Sequence, residues 1–114
     1  MREIKFRFWD KHNEKFIYCD LFDINKGVLS SVNEEDHIPQ EYTGLKDKNG
    51  VEIYEGDILL WEPSLMYPEM NGEIQWVENG YHFVQPEHNV KWLMTRKSLS
   101  TAKIIGNIFE GVGK

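Results

Sequence analysis

Apolar and charged side chains alternate over residues 3–9 at the start of the chain, where the sequence is EIKFRFW. A period of two is typical of a β-strand that buries one face. Residues 16–22 are rich in aromatic and β-branched side chains, which strands favour. The polar residues 10–15 between the two stretches indicate a turn. The pattern therefore predicts an N-terminal β-hairpin.

Further short apolar stretches, each bounded by turn residues, follow along the rest of the chain. They predict strands at residues 28–32, 51–54, 58–61, 73–77, 81–85 and 103–109. Residues 33–39 and 62–72 predict loops, and residues 90–99 fit either one short helix or a twisted strand. Several short strands with no sustained helix predict a mostly-β fold, which is either a small barrel or a strongly bent sheet.

The chain of 114 residues has the length of one domain, and its 40% hydrophobic residues suffice for one compact core. Because no internal repeat or linker interrupts it, we expect a single domain over residues 1–114. No apolar run approaches the roughly 18 residues that a membrane helix needs. The N-terminus lacks the apolar stretch of a signal peptide, and the single cysteine, Cys19, cannot form an internal disulfide. These features predict a cytoplasmic protein with no membrane partner.

The charge of the chain is acidic and unevenly distributed. With 13 basic and 19 acidic residues the net charge is -6, which argues against a duplex-DNA binder, because such proteins need basic contacts to phosphates. Acidic residues are concentrated in residues 34–73, and basic residues lie mainly towards both ends. This asymmetry could orient self-association or imitate a polyanion, although an ordinary solvated surface explains it more simply.

Two turn signals interrupt residues 40–61, where the sequence is QEYTGLKDKNGVEIYEGDILLW. The first is DKNG at residues 47–50, and the second is EGD at residues 55–57. Glycine and asparagine accept a positive φ, and aspartate caps turns by accepting hydrogen bonds from nearby amides. We therefore interpret Glu55 and Asp57 as turn residues rather than as a catalytic carboxylate pair. A glycine inside the last predicted strand, Gly106, predicts a bulge or a bend.

Three segments of the chain resemble the YopX protein family. They are REIKFRFWD at residues 2–10, YTGLKDKNGVEIYEGDIL at residues 42–59 and IIGNIFE at residues 104–110. The segments follow one another in the same order and at similar separations as in the family, whereas residues 62–100 match no motif of it. We interpret the shared motif as architecture rather than as an active site, and its residues are Tyr42, Gly44, Asp47, Asn49, Gly50, Tyr54, Gly56, Asp57 and Gly106.

The resemblance to the YopX family also carries expectations about fold and origin. It implies a small, mostly-β protein related to the SH3-like barrels, encoded by bacteriophages or prophages of Gram-positive bacteria. It implies self-assembly as well. It implies no reaction, because the family has no established biochemical function and no agreed catalytic residues.

Groups that could perform chemistry are few in this sequence. The four histidines do not have the spacing of zinc ligands, and only one cysteine is present. Glycine-rich phosphate-binding loops do not occur. Cys19 lies inside a predicted strand without a neighbouring base, which is typical of an inert buried thiol. The sequence therefore predicts a protein that is not an enzyme, with no catalytic residue, no cofactor and no metal.

Most of the aromatic side chains are expected to fill the interior of a small barrel. The predicted loop at residues 62–72 is too apolar to be freely solvated, so we expect it to pack against the core or a partner. Aromatic residues in and near this loop form a candidate interaction surface, which consists of Trp61, Tyr67, Trp76 and Tyr81. We expect this surface to contact another copy of the same chain.

The sequence favours an interaction module that forms a homo-oligomer or binds a host or phage protein. One alternative is a small barrel that binds single-stranded nucleic acid, for which the basic and aromatic residues Lys91, Trp92, Arg96 and Lys97 are the support. The acidic balance of the chain disfavours this alternative. The other alternative is an acidic mimic of a polyanion that acts on a host protein.

Overall fold

The structure is a computed structural model, which describes residues 3–20, 22–23, 27, 32–33, 35–61, 69–78, 80–85, 90–93 and 101–112. The described residues form ten strands: β1 (Lys5–Asp10), β2 (Lys15–Asp20), β3 (His37–Lys46), β4 (Glu52–Tyr54), β5 (Asp57–Trp61), β6 (Met70–Val77), β7 (Gly80–Gln85), β8 (Val90–Leu93), β9 (Ala102–Asn107) and β10 (Gly111–Val112). The prediction of a mostly-β fold is confirmed.

The strands form two antiparallel sheets. The first sheet contains β1 to β4 in the order β2-β1-β3-β4, and the second contains β5 to β10 in the order β10-β9-β5-β6-β7-β8. The chain passes from one sheet to the other at Glu55 and Gly56, between β4 and β5. Because this turn ends the first sheet at β4 and starts the second at β5, the described strands form two open sheets. They do not close into the SH3-like barrel that the resemblance implied.

The N-terminal hairpin is confirmed, with β1 paired to β2 from Lys5↔Asp20 to Asp10↔Lys15. Its turn is held by the Asp10 carboxylate, which accepts hydrogen bonds from the backbone N–H groups of His12 and Asn13 and from Asn13 Nδ2. These donors, of which the Asn13 side chain has the largest effect, hold the pKa of Asp10 below its ordinary value. Residues of the hairpin therefore shape this turn, and the N–H of Lys11 also donates to Asp36 O, just before β3.

Strand β3 corrects the prediction of a charged loop over residues 33–39. It begins at His37, and its first half pairs with β1 while its second half pairs with β4. Pro39 lies opposite Phe8, in the half of β3 that has a paired strand on one side only. A proline is tolerated there because the missing N–H is not needed on the unpaired side.

Other predicted boundaries also differ from the structure: the strand predicted at residues 16–22 ends at Asp20, and the strand predicted at residues 103–109 ends at Asn107. The loop prediction for residues 62–72 is wrong at its end, because β6 begins at Met70, and residues 62–68 lie outside the described residues. The ambiguous residues 90–99 form strand β8 over Val90–Leu93, and residues 94–99 lie outside the described residues. The strand predicted at residues 28–32 also falls outside them, apart from Val32, which is not in a strand.

The core lies on one face of the second sheet. It contains the buried residues Ile53, Leu59, Ile74, Tyr81, Phe83 and Ala102, of which all except Ile53 belong to that sheet. Ile53 extends into this core from β4 of the first sheet, so the two sheets share one hydrophobic interior. Within the described part of the chain no helix has the length and apolar composition needed to cross a membrane.

Candidate functional site

A buried ion pair joins the two sheets. Arg7 of β1 and Asp57 of β5 are 5% and 3% exposed, and Arg7 Nη2 lies 2.8 Å from Asp57 Oδ1. Arg7 Nε donates to Gln40 Oε1 at 2.8 Å, and the backbone N–H of Tyr54 donates to Asp57 Oδ2 at 2.8 Å. Burial raises the pKa of Asp57, and the Arg7 guanidinium and the Tyr54 amide offset part of that rise. Both charges are therefore paired in a position with little exposure to water.

Two aromatic rings enclose the Arg7 guanidinium. Its Cζ lies 4.2 Å from the ring centroid of Phe16 and 4.8 Å from that of Tyr54. A guanidinium over an aromatic face gains cation–π energy, which is larger when water is excluded. Burial, the largest cause, raises the pKa of Tyr54 to about 12, so this ring stays neutral at ordinary pH. Strand alternation alone did not predict a buried Arg7, because it places charged residues on the solvent face.

The turn at residues 47–50 makes a second connection between the sheets. Asp47 Oδ1 accepts hydrogen bonds from the backbone N–H groups of Asn49 and Val51, which shapes the turn. Asp47 Oδ2 accepts a third hydrogen bond, at 3.0 Å, from the N–H of Ile104 in β9. Each aspartate of the family-like motif, Asp47 and Asp57, thus forms a hydrogen bond or ion pair from one sheet to the other.

The remaining motif residues either shape the backbone or pack in the interior. Gly44, Gly50 and Gly56 all have positive φ. Tyr42 and Tyr54 are buried cross-strand neighbours with ring centroids 5.5 Å apart. Gly106 adjoins the register shift between β5 and β9, where the sequence predicted a bulge. This geometry supports the interpretation of the motif as architecture.

A cleft of about 540 Å³ lies between the first sheet and strands β9 and β10. Arg7, Phe16 and Tyr54 line it together with Tyr18, whose side chain is 57% exposed. Glu52 and Glu110 also line this cleft, and the ammonium group of Lys5 forms an ion pair with Glu52. The cleft was not predicted, because its walls come from strands that are far apart in sequence.

A second recess of about 280 Å³ lies between β3 and β6, and it is called the Trp76 crevice below. Its lining residues are Ile38, Pro39, Gln40, Glu55, Gly56, Glu73, Gln75, Trp76 and Ile108. Burial raises the pKa of Glu55, and the nearby charges of Glu41 and Glu73 raise it further, while a backbone hydrogen bond acts in the opposite direction. The crevice therefore combines carboxylates with an exposed indole ring.

The structure brings together two of the four residues in the predicted interaction surface. Trp76 is 50% exposed, and its ring lies 4.8 Å from that of the buried Tyr81, its cross-strand partner. Trp61 lies opposite Met70, six residues from Trp76 along β6, which corresponds to about 20 Å. Trp61 packs instead against Phe83, with ring centroids 4.5 Å apart. Tyr67 lies outside the described residues.

Of the residues considered for nucleic-acid binding, the structure describes Lys91 and Trp92. The Trp92 ring packs against Trp61 and Phe83, and Lys91 pairs across to Val84, so neighbouring positions of β8 point to opposite faces. Arg96 and Lys97 lie outside the described residues.

The described residues that could bind a metal or react as a thiol are the histidines, the carboxylates and Cys19. Within the described ranges, no three His, Cys, Asp or Glu side chains come close enough together to hold a metal ion. Cys19 is buried, and burial, followed by the charges of Asp23 and Asp20, raises the pKa of its thiol. A raised pKa leaves less thiolate, so this thiol has the character of a packed core residue.

The contribution of Glu55 to stability is expected to decrease as pH rises above 4.5, the ordinary pKa of this carboxyl, because its pKa is higher in the folded chain. Between the unfolded and the folded pKa the folded state binds more protons, so the free energy of unfolding falls with rising pH. Urea unfolding of the wild type and of Glu55→Gln across this range measures the effect, and the variant should lose the part of the decrease due to Glu55. Identical pH dependence in both proteins would contradict the raised pKa.

Comparisons with known proteins agree with the fold and the motif. The crystal structure of protein EF1440 from Enterococcus faecalis is similar to this structure, with a TM-score of 0.67 and 21% sequence identity over 96% of each chain. At this identity the likeness shows a shared fold. No curated protein matches the chain. The model of the YopX protein family matches residues 5–112, nearly the whole chain. The chain therefore belongs to the YopX protein family.

Proposed function

We propose that the protein is a non-enzymatic accessory protein of a phage or prophage, which acts in the cytoplasm by binding protein, in the first place a second copy of its own chain. The observation that carries this proposal is the half-exposed Trp76 ring. It packs against the buried Tyr81, at the edge of the face of the second sheet that forms the core. Tryptophan and tyrosine are the residue types that most often dominate the energy of protein interfaces.

The rigidity around Trp76 supports a binding role. Its ring is held edge-on by Tyr81, with an interplanar angle of 75°. The recess beside it is lined by Gln40, whose side chain is fixed by Arg7. A surface that is already ordered loses little conformational entropy when a partner binds, so more of the contact energy remains as affinity.

Replacing Trp76 with serine is expected to weaken self-association by a factor of about 30 or more, the loss that an interface hot spot of ~2 kcal/mol implies. Sedimentation equilibrium over a concentration series measures the association constant of the wild type and of the variant. Leu93→Ser is the matched control, because Leu93 is a 60% exposed apolar residue on another strand of the same sheet. The control should associate as the wild type does.

Two results would contradict the proposed self-association. One is a wild type that stays monomeric at every concentration. The other is a wild type that associates with the same constant as Trp76→Ser. Circular dichroism spectra of both variants are recorded alongside, so that a loss of association is not confused with a loss of fold.

A further inference from the structure

We propose that the Trp76 crevice binds the side chain of a lysine or arginine on an exposed segment of the partner protein. This inference deepens the proposed function, because it names the chemistry of what the Trp76 surface recognises. The crevice lies beside that surface, and Trp76 is one of its walls. Charge, shape and rigidity each favour a basic side chain as the occupant.

The charged residues that line the crevice are all acidic. Glu55 and Glu73 line it, and none of the described lining residues carries a positive charge. Glu41 and Glu73 act electrostatically on Glu55, which is itself half-buried. A cationic group placed between Glu55 and Glu73 would reduce the repulsion between these two carboxylates and gain the attraction of both. The carboxylates therefore select for a positive charge.

The size and walls of the crevice fit one long side chain. Its volume of about 280 Å³ is at the lower limit of small-molecule pockets, which are roughly 300–1,000 Å³. The indole of Trp76, the strongest cation–π ring, and the 48% exposed Ile108 provide apolar walls. The methylene groups of lysine or arginine can pack on these walls while the charged end meets the carboxylates.

Backbone hydrogen bonds fix the base of the crevice. The N–H of Gly56 donates to Ile74 O at 2.8 Å, and the N–H of Ile108 donates to Gly56 O at 3.0 Å. The Gln40 side chain beside Gly56 is held by Arg7. These contacts keep Glu55 and Ile108 on their walls before any partner arrives, which lowers the entropic cost of binding.

The larger cleft does not show the same preference for a cation. Its buried charges are Arg7 and Asp57, which neutralise each other, and its Glu52 is paired with Lys5. Most of the charge that lines it is therefore already compensated within the chain. The described lining of the Trp76 crevice, in contrast, contains two carboxylates and no basic residue.

The test is a titration of ¹⁵N-labelled protein with N-acetylarginine methylamide, followed by two-dimensional NMR. The indole N–H signal of Trp76, assigned with Trp76→Phe, should shift in a saturable manner, whereas the neutral citrulline analogue should leave it unchanged. Glu73→Gln should weaken binding about fivefold, the most that one half-exposed ion pair is expected to contribute. Glu69→Gln is the control with the same change of charge, since Glu69 is exposed and does not line the crevice, and its affinity should equal that of the wild type.

Three outcomes overturn the inference: no saturable shift, equal shifts with the citrulline analogue, or equal shifts with magnesium chloride at the same ionic strength. The last would indicate a general cation effect rather than recognition of a side chain.

If the arginine analogue fails while Trp76→Ser still weakens self-association, the crevice proposal is wrong and the proposed function stands. If the analogue binds as described while Trp76→Ser associates normally, the crevice binds a basic side chain and the proposed self-association is wrong.

Discussion

Replacing Asp57 with alanine is expected to lower the free energy of unfolding by about 3–5 kcal/mol, because it leaves the buried Arg7 guanidinium without its counter-charge. Arg7 is poorly hydrated, since its guanidinium packs against Phe16 and Tyr54 and its side chain is 5% exposed. The change also removes the acceptor for the N–H of Tyr54. Since a domain of this size has a total stability of about 5–15 kcal/mol, the loss is a large part of it. Urea unfolding followed by circular dichroism measures the difference.

Two further variants show whether the effect comes from the ion pair. Glu35→Ala removes an exposed carboxylate that lies just before β3, and it should change stability by less than about 0.5 kcal/mol. The double variant Arg7→Met with Asp57→Leu removes both charges and should be more stable than Asp57→Ala alone. If Asp57→Ala does not fold, Asp57→Asn keeps an oxygen acceptor and supplies the comparison. A cost for Asp57→Ala no greater than that of Glu35→Ala would contradict the role of the ion pair in joining the sheets.

Features that depend on neighbouring residues could be predicted from the sequence. The β1–β2 hairpin was predicted because Asp10 and Asn13 form its turn from within the hairpin. The contact of Trp76 with Tyr81 follows in the same way from the short turn between Val77 and Gly80. In these cases the partners are only a few residues apart, so turn signals and strand alternation contain the necessary information.

Features that depend on distant residues could not be predicted in this way. Arg7 is buried only because Asp57, fifty residues later, lies opposite it when the two sheets meet. Strand alternation places the Arg7 side chain on the solvent-exposed face, because the pattern of one strand carries no information about a partner on another sheet. The carboxylates of the Trp76 crevice are a similar case, because Glu55 approaches Glu73 through the contact of Gly56 with Ile74. The open arrangement of the sheets likewise depends on how the chain leaves β4, which the family resemblance alone did not specify.

One set of contacts supports the ion pair and both recesses. Arg7 lines the larger cleft and Gln40 lines the Trp76 crevice, and the hydrogen bond from Arg7 Nε to Gln40 Oε1 joins them. Gly56, in the connection between the sheets, lies against the Gln40 side chain. The motif residues therefore affect binding indirectly, by holding the walls that a partner would contact. Changes at Gly56 should reveal this coupling.

Replacing Gly56 with alanine is expected to cost about 2.5–5 kcal/mol of unfolding free energy, from two separate causes. Gly56 has a φ of +88°, a conformation that costs an L-residue about 1–2 kcal/mol. In addition, a Cβ at this position would lie 2.1 Å from Gln40 Nε2. We expect the displaced Gln40 side chain to lose the hydrogen bond that its Oε1 accepts from Arg7, and a hydrogen bond to a charged group contributes about 1.5–3 kcal/mol.

Gly50→Ala separates the two causes and serves as the matched control. Gly50 has a φ of +80°, but a Cβ there would meet no atom within 4 Å, so only the conformational cost of about 1–2 kcal/mol applies. Urea unfolding of both variants gives the difference, which is the energy of the Gln40 contact. Gly56→Ala should also change the NMR signal of the Arg7 Nε–H group, whereas Gly50→Ala should not. Equal costs for the two variants would show that Gln40 moves freely, and the walls of the Trp76 crevice would then not be held by Arg7.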